Sequence, residues 1–202
     1  MKKTAFDPHF QESDLPAKIV AGLERVGQAY KVLLWDHAKK MGLSPIQIQL
    51  LIFIAYHPSE LNKVSGLARE FNVTKPTISD AIKVLFKKGL IEKHATSEDS
   101  RSYVIGLSPK GAAIVSETEA FANPVYESIE GLSVEQQKQW YQMLSKLLFR
   151  LKSKNVLQLQ RMCQTCRYFE KSADRSYCQL LEKPLTIAEM RIDCLEHRPL
   201  GQ

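Results

Sequence analysis

Four cysteines, Cys163, Cys166, Cys178 and Cys194, fall within 32 residues, and the preceding 162 residues contain none. A Cys-x-x-Cys pair sets two sulfurs at one corner of a metal or cluster, and two later thiolates complete a four-thiolate shell. The start of the chain, Met1-Lys2-Lys3-Thr4-Ala5-Phe6-Asp7-Pro8, is basic but lacks a following apolar segment, and no run of about 18 apolar residues occurs. An expected cytoplasmic chain with clustered thiols favours metal over disulfides. His197, three residues after Cys194, gives an alternative shell of three cysteines and one histidine. That shell ranks below four cysteines, and the plainer expectation for His197 is a solvated side chain.

Zinc knuckles usually bring two Cys-x-x-Cys pairs with glycine in tight turns. This stretch has one pair and no glycine between Cys163 and Cys194. The run Cys163-Gln164-Thr165-Cys166-Arg167-Tyr168-Phe169, followed by Cys178-Gln179-Leu180 and a lone final cysteine, is similar to the cluster-binding stretch of high-potential iron-sulfur proteins. The resemblance implies a four-iron four-sulfur cluster, with zinc as the alternative and free or redox-active thiols third. Tyr168, Phe169 and Tyr177 would shield such a cluster from water or form the small core of the unit.

A second chemistry lies in Thr74-Lys75-Pro76-Thr77-Ile78-Ser79-Asp80. With Ile78, Ala81, Ile82 and Leu85 forming a buried stripe, a helix starting here presents Lys75, Pro76, Thr77, Ser79, Asp80 and Lys83 outward, with Thr74 as its cap. Thr77 and Ser79 can bond bases or phosphates, Lys75 and Lys83 phosphates or guanine, and Pro76 can touch a thymine methyl. Asp80 does not suit phosphate; it accepts from cytosine or orients a neighbouring lysine. Between Asn62 and His94 there are seven Lys/Arg against three acids, in a chain whose formal charge is +6. Double-stranded DNA is the partner this charge favours.

The elements that must position these residues follow from periodicity. Apolar residues from Leu15 to Leu34 recur at three- and four-residue steps, predicting a helix to about Met41 that Gly42 ends. Ser44-Pro45-Ile46-Gln47 is a capping box for the next helix. A third helix begins near Lys63, and with the fourth it forms a helix-turn-helix over 63–88. Residues 90–96 and 103–107 read as strands of a hairpin. Its polar tip carries Arg101, suited to a minor groove, and Asp99, suited to fix the arginine's direction; solvation alone is the bland reading. Ser108-Pro109 opens another helix, broken near Asn123-Pro124. Ser133 and Gln136 box the last one, whose stripe runs from Trp140 to Leu151.

In this order of elements, residues from about 15 to 153 resemble the MarR family of dimeric winged helix regulators. The recognition segment Val73–Asp80, the run Leu85-Phe86-Lys87-Lys88-Gly89-Leu90-Ile91, and Glu98-Asp99-Ser100-Arg101 leading into Leu107-Ser108-Pro109-Lys110-Gly111 carry the resemblance. It implies a homodimer, a major-groove contact by the fourth helix, a minor-groove contact by Arg101, a pseudo-palindromic operator, and a small aromatic effector between the dimer helices and the DNA-binding lobe. Where the family commonly has a basic residue, this chain has Asp80.

The expected fold class is mainly α with a small β-hairpin wing, plus a cysteine-rich unit. The expected division is an arm (1–14), a winged helix domain (15–153; wing 91–107, dimer helices 15–41 and 134–154) and a metal-binding extension (155–202). At 202 residues, 44% of them hydrophobic, such a chain can bury one substantial core and a satellite. The expected function is a DNA-binding transcription regulator, a repressor, modulated by its metal centre through the dimer interface. The alternative is an iron-sulfur electron-transfer protein that uses the winged helix for docking. No nucleophile-base pair, phosphate loop or metal-histidine motif suggests an enzyme.

Overall fold

The computed structural model describes residues 4–96, 99–158, 161–172 and 175–200. The expected loose arm is helical in part: α1 (Pro8–Ser13) starts with proline in its first turn, and the Asp7 side chain accepts from the His9 amide. A cap and proline made that short helix, a signal too brief for periodicity to register. In α2 (Leu15–Met41), Asp14 caps the start through the Ala17 amide at 2.8 Å, and Gly42 ends the helix in the left-handed region at φ 61°.

The core lies around α3 (Pro45–Tyr56), which buries Ile48, Leu50, Leu51, Phe53 and Ile54 on nearly every side. A helix apolar all round must be enclosed by its neighbours. Here α2 contributes Leu34 and Ala38, α4 (Val64–Glu70) contributes Leu67 and Ala68, and α5 (Lys75–Lys87) contributes Ile78, Ala81, Ile82 and Leu85. Each fully buried Leu or Ile of this set contributes about 1.5–3 kcal/mol relative to exposure.

The wing is β1 (Ile91–Thr96) paired antiparallel with β2 (Asp99–Leu107), Ile91 opposite Leu107, with an irregularity between Ala95 and Thr96. The second strand thus begins at Asp99 rather than at the expected Tyr103. The pairing of Asp99 with Thr96 across the irregularity extends the strand into a stretch that composition alone reads as loop. Asp99 and Arg101 therefore stand in a strand; their side chains, like Ser97 and Glu98, lie outside the described residues.

Ser108 locks the wing to the next helix. Its hydroxyl donates to the Gly89 carbonyl at 2.6 Å and accepts from the Gly111 amide at 3.0 Å. A Cβ at Gly111 would lie 1.9 Å from the Leu90 carbonyl oxygen, so no other residue fits there. The helices α6 (Pro109–Thr118) and α7 (Asn123–Glu130) lead to α8 (Val134–Ser153), whose Ser133–Gln136 box forms as expected.

The C-terminal unit contains a small sheet of order β3-β4-β5, formed by β3 (Phe169–Lys171), β4 (Ser176–Cys178) and β5 (Lys183–Leu185), all antiparallel. Its two ends are sewn together by main-chain bonds: Cys194 donates to Arg161 and Cys163 donates to Arg191, both at 3.0 Å. The unit rests on the Tyr141–Ser145 side of α8, where the Tyr141 hydroxyl donates to the Met190 carbonyl at 2.5 Å. At 100° per residue, Trp140 and Met143 fall on the opposite side of that helix, and both remain exposed.

Candidate DNA interface and cysteine site

The N-terminus of α5 is built by Thr74, whose side chain accepts from the Thr77 amide, with Pro76 in the first turn. Burying Ile78, Ala81, Ile82 and Leu85 leaves Thr74, Lys75, Pro76, Thr77, Asp80 and Lys83 exposed and Ser79 half-buried. The sequence-assigned recognition residues therefore share one accessible face. Lys83 Nζ donates to Asp80 Oδ1 at 3.0 Å, with both side chains about three-quarters exposed.

Not every cation of the 62–94 segment serves this face. Lys88 donates to the Gly42 carbonyl at 2.7 Å, and Lys93 lies 4.6 Å from the Tyr103 ring and 5.1 Å from that of Phe86. Lysine at a helix C-terminus meets the negative end of the peptide dipoles, and lysine over a ring meets its negative face. Both positive charges are thereby partly spent within the lobe.

All four cysteines line one small void of about 30 Å³, together with Tyr168, Phe169, Leu180, Leu181 and Leu185. The Arg191 amide donates to Cys163 Sγ at 3.2 Å, and its guanidinium lies 3.8 Å from Cys194 Sγ. Burial pushes the Cys163 thiol up; the Arg191 amide opposes this, and the three other cysteines add to the rise. Among the described residues no group of three or more His, Cys, Asp or Glu is gathered tightly enough for a single metal ion. His197 stands apart from the void. It is buried, not solvated as expected, with Nε2 2.9 Å from the Thr165 hydroxyl, and burial holds its pKa below the usual value.

Sequence reasoning missed the contact between this unit and the helix-turn-helix. Arg161, 7% exposed, donates through Nε to Asp193 at 2.6 Å and through its terminal nitrogens to both oxygens of Glu70 on α4. Its guanidinium also lies 5.4 Å from the Phe53 ring, and His57 Nε2 is 2.9 Å from Asp193. Burial opposes the arginine's charge, but the two carboxylates outweigh it and raise its pKa. A second tie is Asn72, at φ 52° in the turn of the helix-turn-helix, whose amide donates to the Val156 carbonyl at 3.2 Å. Partners 32 and 91 residues from Arg161 leave no periodic or motif signal. Besides the junction with α8, the segment after that helix therefore touches the helix-turn-helix directly at Glu70 and Asn72.

A helix pair with an exposed N-terminal face on the second helix, followed by a two-stranded wing, defines a winged helix-turn-helix protein. Residues 41–102, which include the helix-turn-helix and most of the wing, match the model of the MarR family. Among solved structures, a protein described as transcriptional regulator PA3341 is 26% identical with a TM-score of 0.58, covering 67% of this chain and 98% of its own. Staphylococcus aureus MepR, solved in complex with DNA, is 22% identical with a TM-score of 0.58, covering 65% and 97%. Staphylococcus aureus MarR, solved with salicylate and kanamycin, is 18% identical with a TM-score of 0.60, covering 71% and 96%. The last two establish likeness of fold. Among the described residues no helix is long and apolar enough to cross a membrane.

Proposed function

We propose that this chain is a MarR-family transcription regulator, not an enzyme, that binds a pseudo-palindromic operator as a homodimer and represses from it. The observation that carries the reading is the exposed face of Thr74, Lys75, Thr77 and Lys83 on a helix whose other side is buried in the lobe. A major groove just admits such a helix, N-terminal side chains first. Arg101, near the wing tip, takes the minor groove, with Asp99 orienting it. The DNA complex of the MepR structure accords with this.

The dimer follows from surface that one copy leaves bare. Ile19, Leu23, Val26 and Tyr30 on α2, and Trp140 and Met143 on α8, are between 41% and 63% exposed. Contiguous apolar stripes on two long helices are what a two-fold interface covers. The salicylate complex of the S. aureus protein accords with a small aromatic effector. In this chain a cavity of about 520 Å³ lined by Tyr30, Leu34, Trp35, Pro45 and Phe121 suits it.

At the other end, Cys163, Cys166, Cys178 and Cys194 hold a four-iron four-sulfur cluster. Four thiols lining one void, in a spacing that resembles the cluster-binding stretch of high-potential iron-sulfur proteins, support this reading. When bound, the cluster supplies one-electron redox chemistry. The chain's own part is to exclude water with Tyr168, Phe169 and Leu185 and to stabilise the sulfurs of Cys163 and Cys194 through Arg191. Anaerobic purification should give brown protein with iron and labile sulfide in equal amounts; colourless protein with stoichiometric zinc would overturn the cluster. Cys194→Ser should lower the metal content severalfold, while His197→Asn should leave it unchanged by elemental analysis.

Operator selection followed by a salt titration tests the regulator itself. Expected are a preferred two-fold site and a steep fall of affinity with salt. Binding that ignores sequence would defeat the proposal.

A further inference from the structure

The face proposed for α5 leaves the largest concentration of net positive charge in the chain unused. Between Glu135 and Glu170 there are seven Lys/Arg and no acid, whereas the rest of the chain has 21 Lys/Arg against 22 Asp/Glu. The whole formal charge of +6 is therefore exceeded within α8 and the segment that follows it. Two of the seven have partners: Arg161 bridges Glu70 and Asp193, and the Arg167 guanidinium lies 5.6 Å from the Tyr168 ring. The other five, and Arg69 on α4, make no ion pair among the described residues. A helix C-terminus gains from cations in its last turn, but like charges four residues apart repel. Arg150 stands four from Lys146 and four from Lys154. Protein surfaces commonly intersperse the two signs, so an acid-free stretch of this length has the footprint of a polyanionic partner.

The end of this stretch lies beside the helix-turn-helix. Val156, two residues beyond the Lys154 cap of α8, accepts from the Asn72 amide at 3.2 Å, and Asn72 is two residues before Thr74, the cap of α5. Arg69 and Lys152 line one cavity of about 360 Å³ at this junction, with Gln158 and His197 also in its wall and no acid. Arg69 and Lys154 are exposed and Lys152 is half-buried.

We infer that Arg69, Lys152 and Lys154 form a second phosphate-binding surface, holding the DNA backbone beside the groove that α5 enters. The inference rests on the regulator reading and deepens it. The face of α5 reads bases, whereas cations set on α4 and at the end of α8 meet phosphates and carry no sequence information. Duplex DNA suits them better than a small anion, because the charge is spread along two elements and a duplex presents one negative charge per about 1.7 Å of its axis.

The test uses the full chain with a duplex carrying the operator that selection yields, beside a random duplex of equal length. Lys152→Ala combined with Lys154→Ala should lower the salt slope by about 3.6 on both duplexes, two contacts per chain doubled by the dimer at about 0.9 each. Affinity should fall at least tenfold on both, so that the ratio between them holds. Adding Arg69→Ala should take a further 1.8 or so from the slope. Ethylation interference should show phosphates, related by the operator's two-fold axis, whose effect disappears in the alanine pair. Lys171→Ala combined with Arg175→Ala removes the same charge from the β3–β4 hairpin and should leave the slope as it was. Thermal midpoints of all variants should match that of the wild type.

A wild-type chain that selects no operator overturns the regulator reading and this contact with it. Selection by the wild type, with an unchanged slope in the alanine pair, overturns this contact alone. An equal loss of slope in the hairpin control would reduce the effect to net charge and overturn it too. Saturable binding of inorganic phosphate at Lys152 without any change of slope would make the junction a small-anion site instead.

Discussion

Replacing Lys75 and Lys83 together by alanine is expected to reduce operator affinity about a thousandfold at 0.15 M salt and to lower the salt slope by about 3.6. The figure is two phosphate contacts per chain, doubled by the dimer, at about 0.9 in slope for each. Both side chains are exposed and off the buried stripe of α5, so folding should be unaffected, within about 0.5 kcal/mol. Lys83 already has a partner in Asp80 at 3.0 Å, so its share should be the smaller. Asp80→Asn tests that coupling in the opposite direction: removing an anion from the groove-facing side should tighten binding on every sequence. Fluorescence anisotropy across a salt series, on operator and on random duplex, checks both. An unchanged slope in the lysine double variant would move the interface elsewhere on the molecule.

Arg161→Met is expected to separate the two halves of the chain. Removing one member of a buried charge cluster costs about 3–5 kcal/mol; the lower end applies, because Asp193 is about half exposed. Glu70 then remains without its cation in the helix before the recognition helix, and the Cys194 segment loses its hold on α4. Two readouts should change together. The thermal midpoint should fall by several degrees, and the difference in operator affinity between metal-loaded and metal-free protein should shrink toward zero. Glu70→Gln, which can still accept from the arginine, should retain most of both. A variant that loses stability yet keeps the full loaded-to-unloaded difference would return the coupling to α8 alone.

If the proposed centre modulates operator binding, the contact through Arg161 offers it a route to the recognition helix. Oxidation or loss of that centre would act on Asp193 and Arg161, and thus on Glu70 at the end of α4, three residues before the Val73-Thr74 turn that sets the recognition helix. The Asn72–Val156 bond touches the same turn. Such a path needs no change in dimer spacing, only a change in how α4 is held.

Much of the winged helix was legible before any coordinates. Ser44 and Gln47, Thr74, Ser133 and Gln136 cap where their side chains can reach free amides, a chemistry confined to four residues and therefore visible locally. Ile78, Ala81, Ile82 and Leu85 lie on one side of α5 because 3.6 residues per turn leaves them no other arrangement. The strand start was harder: residues 99–102 are polar, and only the pairing of Asp99 with Thr96, across a shift in register, brings the strand's start back from Tyr103. The helix over Pro8–Ser13 and the three short strands of the cysteine unit escaped for a related reason, since three to six residues hold less than two turns or one alternation.

Local chemistry, then, was enough to assign the helix-turn-helix, its outward face and the set of four thiols, because each depends on neighbours within a turn or on residue type alone. Folding in three dimensions settled which thiols share a void, that His197 faces Thr165 and not the sulfurs, and that Arg161 reaches Glu70 across 91 residues. Those relations depend on how separate elements are stacked. Stacking is set by the summed fit of many side chains, and no single stretch of chain contains that sum.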